Sequence, residues 1–166
     1  MCWWIRYCLV LAFAGCCAFS DAQDQAKKPP PRRFGYDVDE ITFPQQSPDA
    51  TMKSIATALG RKQMGYMLAQ LADPAHVDYW VEHYKKDFTL GKEEGRRLLA
   101  FDRVIRDATE YLQNDPLIVK ELRMFAKEAK WDEADNIAIG TVETIPARKV
   151  YLKKIGERWF LENKQQ

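Results

Sequence analysis

The chain has 166 residues, which is long enough for one domain with a hydrophobic core and too short for two. Its hydrophobic share of 46% and its charged share of 30% are those of a globular protein and exclude a disordered chain. The net charge of +1 argues against a dedicated nucleic-acid partner, because such a protein needs a strongly basic surface.

The first 22 residues have the pattern of a secretory signal peptide. Residues 1–6 carry one positive charge, residues 7–19 are uncharged and mostly apolar, and residues 20–22 follow in an A-x-A-like arrangement. The apolar run is shorter than the roughly 20 residues that a membrane-spanning helix needs. We therefore predict no transmembrane segment, cleavage after Ala22 or Ser20, and a periplasmic or extracellular protein.

A second interpretation of this stretch is a lipid anchor. Residues 13–16, FAGC, resemble a bacterial lipobox, in which Cys16 would be lipidated and become the first residue of the mature protein. The cysteines of the chain are Cys2, Cys8, Cys16 and Cys17. A mature chain without them can form neither a disulfide nor a cysteine-ligated metal site, so we expect its stability to come from packing.

A proline-rich flexible linker is predicted for residues 23–46. It contains the run KKPPPRR at 27–33, in which three prolines favour an extended chain between four cations. Such a run is typical of a solvated spacer, although an acidic surface or an SH3-like partner would also recognise it. We expect a single folded domain over residues 47–166.

Capping residues followed by proline predict the starts of helices. These pairs begin at Ser47, Asp73 and Asp115, where a side-chain oxygen can accept from free backbone N–H groups. Apolar residues recur at helical spacing after each pair, and again after a break at Gly91 and Gly95. Four helices are therefore predicted, over about residues 48–72, 74–88, 98–112 and 117–129.

Beyond Trp131 the apolar residues alternate instead, as they do in half-buried strands. The alternating pairs are Ile137 and Ile139, Val150 and Leu152, and Trp159 and Leu161. Together with the helices, they predict an α+β fold in which a three-stranded antiparallel meander packs on about four N-terminal helices.

Strand alternation also divides the end of the chain into two faces. Trp159 and Leu161 are expected to face the helices, so Tyr151 and Phe160 lie on the opposite face beside Lys153. No predicted helix is left to cover that face. We therefore predict that Tyr151 and Phe160 are binding residues, either for a partner or for the second protomer of a homodimer.

The ending ARKVYLKKIGERWFLEN, at 147–163, gives the chain a family resemblance. Helices followed by a charged strand, a turn with glycine, and Trp159 next to apolar residues resemble exported nuclear-transport-factor-two-like domains. This resemblance implies a cone-shaped α+β fold in which a bent sheet and helices enclose a pocket. The family includes enzymes, small-ligand binders and interaction modules, so the fold does not decide the function.

His76 and His83 are the candidate acid–base residues of the predicted second helix. They are seven residues apart and so lie about 10 Å from each other along one side of a helix, which is too far to chelate one metal ion. We therefore predict no metal site and no cofactor. His83, with Asp87 four residues further on, could act as a general base, and the resemblance implies a His–Asp pair of this kind.

Trp80 and Tyr84 flank His83 and could wall a cavity. No phosphate-binding loop, zinc-protease motif or nucleophile elbow occurs in the chain. The sequence therefore favours an exported non-catalytic module that binds a partner protein or a small apolar ligand. The alternative is a small cofactor-independent hydrolase or isomerase that uses a cavity histidine as its base.

Overall fold

The structure is a computed structural model that describes residues 31–163. Its helices are α1 (Pro48–Gly60), α2 (Met64–Tyr66), α3 (Pro74–Lys85), α4 (Glu93–Asn114) and α5 (Pro116–Glu128), and a π-helical turn, Met67–Leu71, continues α2. Its strands are β1 (Arg32–Arg33), β2 (Tyr36–Asp37), β3 (Lys130–Ala134), β4 (Ile137–Thr141), β5 (Lys149–Ile155) and β6 (Arg158–Glu162). The predicted signal peptide, the candidate lipid anchor at Cys16 and residues 23–30 of the linker lie outside the described residues.

The α+β class is confirmed, because a short hairpin and a layer of helices are followed by a four-stranded antiparallel sheet. The main sheet has four strands in the order β3-β4-β5-β6, one more than predicted. The missed strand is β3, whose sequence KWDEA has one large apolar residue, Trp131, among charged neighbours. Charged side chains are typical of an edge strand, where they discourage pairing with other chains.

The predicted first helix is two helices. After Gly60 the chain forms a Schellman ending, in which Gln63 N–H donates to Ala58 C=O at 2.9 Å and Lys62 N–H donates to Leu59 C=O at 3.1 Å. Lys62 takes the left-handed conformation with φ 56°, where glycine is more usual. The polar run between the two helices carries no apolar residue that would continue the buried stripe, so a new helix begins at Met64.

The predicted capping residues are confirmed. Ser47, Asp73 and Asp115 each accept a hydrogen bond from a backbone N–H two or three residues later, at 3.1–3.2 Å. A proline follows each of them in the first turn. These three positions therefore fix where α1, α3 and α5 begin.

The β6 edge of the main sheet is covered by two other segments. Asp73 N–H donates to Leu161 C=O at 2.8 Å, and Trp159 N–H donates to Gln45 C=O at 3.0 Å. The Gln45 side-chain amide also donates to Trp159 C=O at 2.7 Å. Backbone groups that would otherwise be open on this edge strand are thus paired with the chain before α1 and before α3.

One face of the sheet packs against the helices. Leu152 and Trp159 lie on this face, and both belong to a core cluster that includes Met52 and Ile55 of α1 and Phe125 of α5. Trp159 is 3% exposed, as expected for a residue that joins the sheet to the helical layer.

The prediction that Phe160 lies on an uncovered face is wrong. Its side chain is 1% exposed, although strand register places it opposite Lys153 and away from the main core. The Arg158 guanidinium lies 4.9 Å from the centre of the Phe160 ring, and Ile155 beside it is also buried. Tyr151 on the same face is half-buried. Arg158, on the same face as Phe160, also donates to Gln70 of the π-helical turn and to Gln45, so these segments lie at this end of the face.

Residues 31–46, which the sequence analysis assigned to the linker, pack against the helices. β1 and β2 form a hairpin, and Phe43 is buried against the ring of Tyr66, with a centroid separation of 4.3 Å. Arg33 is also buried, because its guanidinium binds backbone carbonyl groups of the helical layer. The run of prolines and cations does not reveal these contacts, since each depends on a residue far along the chain.

A buried polar cluster joins this N-terminal segment to the rest of the domain. Gln70, in the π-helical turn, donates to Tyr36 C=O at 2.7 Å, and its C=O accepts from Arg158 at 3.0 Å. Arg158 also donates twice to the Gln45 side-chain oxygen, at 2.7 and 3.0 Å. Burial lowers the pKa of Arg158. Because each group is hydrogen-bonded, the cluster holds the hairpin, the π-helical turn and β6 in one arrangement.

Candidate functional site

A groove lined by α3, α4 and the π-helical turn brings together several of the predicted residues. Its volume is about 220 Å³. We call it the α3–α4 groove, and its lining residues are Leu68, His76, Val77, Trp80, Tyr84, Val104, Asp107 and Ala108.

The α3 wall follows from the spacing of its aromatic residues. His76, Trp80 and Tyr84 are each four residues apart, so their side chains lie on one side of the helix. The Trp80 ring centre is 5.7 Å from that of Tyr84 and 6.4 Å from that of His76. These rings form a continuous wall along the groove.

The facing wall comes from α4 and the floor from buried aliphatic residues. Val104 and Ala108 are four residues apart on α4, and the small side chain of Ala108 leaves open the space in front of the rings. Val77 and Leu68 are buried below them. The groove therefore exists because an alanine faces two large aromatic residues.

The polar groups of the groove lie around Tyr84. Its hydroxyl donates a hydrogen bond to Asp107, and this bond raises the pKa of the Tyr84 phenol above its ordinary value. Arg103 lies over the Tyr84 ring at 4.4 Å from its centre and donates to Asp87 at 2.6 Å. These contacts hold the ring in one orientation before any ligand binds.

The predicted catalytic pair is not assembled in this groove. His83 is exposed and is not among the lining residues, although its ring centre lies 5.5 Å from that of Tyr84 and 5.6 Å from that of Trp80. The Asp87 carboxylate is bound to Arg103. His76 is the histidine that lines the groove, and its Nε2 is 3.1 Å from the side-chain nitrogen of Asn163.

The four predicted ligand-binding residues divide between two places. Trp80 and Tyr84 lie together in the α3–α4 groove, whereas Tyr151 and Phe160 lie on the sheet. Sequence reasoning missed Asp107 and Ala108 of the facing wall. Both residues lie within the predicted third helix. Which turn of that helix faces Trp80, however, depends on how α3 and α4 pack against each other.

Among residues 31–163, no group of three or more His, Cys, Asp or Glu side chains is arranged to hold a metal ion. None of the helices within this range is both long and apolar enough to cross a membrane.

Comparison with known proteins gives no relative for this chain: no family model, curated protein or solved structure matches it.

Proposed function

We propose that the protein is an exported, non-catalytic binding module that takes one apolar, ring-sized group into the α3–α4 groove. The observation that supports this proposal is the preformed groove of about 220 Å³ between the Trp80–Tyr84 wall and Ala108. The group would belong to a partner protein or to a small apolar ligand.

The volume of the groove limits what can enter it. An apolar cavity of about 150 Å³ is large enough to hold benzene. Pockets for drug-sized molecules are larger, at about 300–1,000 Å³. The α3–α4 groove lies between these values. It therefore suits a single aromatic or large aliphatic side chain better than a whole cofactor or a large metabolite.

The surroundings of the groove favour a protein partner as the source of that group. Tyr79 is 64% exposed, and its ring centre is 5.5 Å from that of Trp80, so an aromatic surface continues beyond the groove. Charged residues, Asp87 and Arg103 among them, lie beside it. An apolar pocket with an aromatic extension and a polar surround is the usual arrangement of a protein-binding hot spot.

The enzymatic alternative would have to use His76, because His76 lines the groove with Asp107 and His83 does not. The substitution His76→Gln separates the two functions. A binding module should keep most of its affinity for ring-sized probes in this variant, because Trp80, Tyr84 and Ala108 are unchanged. An enzyme with a histidine base should lose hydrolysis of an activated ester such as p-nitrophenyl acetate.

Export and family membership are parts of the same proposal. Export is supported by the charge, apolar run and boundary residues of positions 1–22. A nuclear-transport-factor-two-like origin is supported by the motif at 147–163.

The affinity of indole for three forms of the protein tests the binding proposal. The forms are the native chain, Ala108→Leu, which fills the groove, and Ala75→Leu, which adds the same volume at an exposed position of α3. We expect indole to shift the backbone ¹H–¹⁵N resonances of Val77 and Ala108 in the native protein and in Ala75→Leu. Ala108→Leu should weaken binding roughly tenfold or more. Equal affinity in the two variants would overturn the proposal.

A further inference from the structure

A second and larger cavity lies between the β1–β2 hairpin, α3 and α4. Its volume is about 590 Å³, within the range of small-molecule sites. We call it the hairpin cavity, and its lining residues are Arg32, Arg33, Phe34, Gly35, Asp78, Glu94, Arg97 and Leu98. It shares no lining residue with the α3–α4 groove.

Arg33 is a fixed cation in the wall of this cavity. Its side chain is 4% exposed. The guanidinium donates to Ala69 C=O at 3.0 Å, to Pro74 C=O at 3.2 Å and to Asp78 at 2.8 Å. These bonds hold Arg33 in one position, and one of them occupies the Asp78 carboxylate oxygen that also lies 3.8 Å from Arg97.

Arg97 and Arg32 are paired only loosely. An Arg97 nitrogen is 3.8 Å from the same Asp78 oxygen that Arg33 binds, and another is 3.4 Å from Glu82. The Arg32 guanidinium is 3.8 Å from Asp37. A charge-assisted hydrogen bond measures about 2.7–2.9 Å, so a better-placed anion could replace these contacts.

The charges of the lining are unequal. Three arginine residues and two acidic residues, Asp78 and Glu94, line the cavity. Arg33 binds Asp78 closely, so Arg97 is left with contacts of 3.8 Å to Asp78 and 3.4 Å to Glu82, and Arg32 has one of 3.8 Å to Asp37. An anion placed between Arg32 and Arg97 would give both guanidinium groups a closer partner.

An apolar surface lies beside these cations. Phe34 is stacked on Phe101, with ring centres 4.2 Å apart, and the Arg33 and Arg97 guanidinium groups lie 5.3 and 5.8 Å from the Phe34 ring centre. Phe34 and Gly35 have φ 50° and 87°, the positive values that the two-residue turn between β1 and β2 requires. Leu98 is partly exposed in the same cavity.

We infer that the hairpin cavity binds a small molecule or side chain in which a carboxylate or phosphate group is attached to a flat apolar body. Arg97 and Arg32 hold the oxygens of the anion, and Arg33 contributes a fixed positive potential. Phe34 and Leu98 contact the apolar body. This site is separate from the α3–α4 groove, and its existence does not depend on the function proposed for that groove.

Benzoate, phenyl phosphate and the uncharged benzamide are suitable probes, because they share one ring and differ in charge. Binding is followed by the backbone ¹H–¹⁵N resonances of Gly35 and Leu98 in the full processed protein. We expect a dissociation constant of about 10 mM or tighter for at least one anion. Benzamide should bind at least roughly tenfold more weakly, and added salt should weaken the anion but not benzamide.

Matched variants locate the bound anion. Arg97→Gln removes a charge from the cavity, whereas Arg106→Gln removes one from an exposed position of the same helix. Arg32→Gln, at a side chain that is 68% exposed, gives a second variant in case Arg97→Gln folds poorly. We expect roughly tenfold weaker binding in Arg97→Gln and Arg32→Gln and little change in Arg106→Gln.

The outcomes separate clearly. Binding of benzoate alone identifies carboxylates as the ligands, and binding of phenyl phosphate alone identifies phosphorylated molecules; both results support the site. Equal binding of benzamide and the anions, equal losses in Arg97→Gln and Arg106→Gln, or no shift at Gly35 and Leu98 would overturn it.

Discussion

Gly65 has no side chain at a point where Tyr36 of the hairpin lies against α2. A Cβ atom at this position would lie 2.1 Å from the Tyr36 hydroxyl oxygen and 2.6 Å from Cζ of the same ring. At Gly60, by contrast, an added Cβ would meet no atom within 4 Å. The two glycines therefore have different roles.

We expect Gly65→Ala to lower the free energy of unfolding by about 1–3 kcal/mol, because Tyr36 must move and the hairpin with it. Gly60→Ala should be neutral or should raise it by up to about 1 kcal/mol. Urea denaturation of both variants measures the difference. Equal stability of the two variants would show that the hairpin does not contact α2 as described.

Asp39 gives the stability of the N-terminal segment a dependence on pH. Hydrogen bonds from Thr42 hold the pKa of the Asp39 carboxyl below its ordinary value. Because the pKa of Asp39 is lower in the folded protein, its ionised carboxylate stabilises the fold at pH values above the unfolded-state pKa of about 3.9. This stabilisation is lost as the pH falls through the folded-state pKa.

The substitution Asp39→Asn should therefore remove part of the acid sensitivity. We expect the native protein to lose more stability than Asp39→Asn between pH 5 and about pH 2, since only the native side chain takes up a proton in this range. Thermal melts across this range provide the comparison. Parallel curves for the two proteins would exclude a contribution from Asp39.

At the level of secondary-structure elements, β6 is covered on both faces. Trp159 joins the sheet to the helices, and Phe160 on the other side is buried beneath Arg158 and its neighbours. We expect both Trp159→Ala and Phe160→Ala to lower the free energy of unfolding by about 3–5 kcal/mol. Tyr111→Ala, at an aromatic residue that is largely exposed on α4, should change it by no more than about 0.5 kcal/mol.

Chemical denaturation of the three variants tests this account of β6. A small effect of Phe160→Ala, close to that of Tyr111→Ala, would show that Phe160 is exposed on a binding face, as the alternation of strand side chains alone predicts. A large effect would leave the half-buried Tyr151 as the remaining candidate on that face.

Elements whose signals are local could be predicted from the sequence. Ser47, Asp73 and Asp115 each cap their own helix, so two or three neighbouring residues carry the whole signal. The strand β3 was missed because its residues are mostly charged, and the split of the first helix was missed because the left-handed residue is Lys62 rather than a glycine.

At the scale of the whole molecule, the sequence predicts one wall of the α3–α4 groove but not the other. The spacing of Trp80 and Tyr84 along one helix predicts the aromatic wall. The opposite wall depends on how α4 packs on α3, and the hairpin cavity depends on contacts of Arg33 with residues more than 30 positions away. No local pattern records such long-range contacts, so the N-terminal segment could be interpreted only as a linker.

The proposed export of the protein has a direct test at the same scale. We expect N-terminal sequencing of protein recovered outside the cytoplasm to begin at Gln23, after removal of the predicted signal peptide. A diacylated Cys16 at the N-terminus would favour the lipid-anchored alternative. Recovery of the protein in the cytosol with Met1 intact would contradict export.

The central claim is that the space between Trp80, Tyr84 and Ala108 receives one ring-sized apolar group. The most direct measurement is the set of intermolecular nuclear Overhauser effects between the ring protons of bound indole and the protein methyl groups. We predict contacts to the methyl groups of Val104 and Ala108, which line the groove. Contacts only to exposed residues outside the groove, such as Leu90 or Leu117, would contradict the claim.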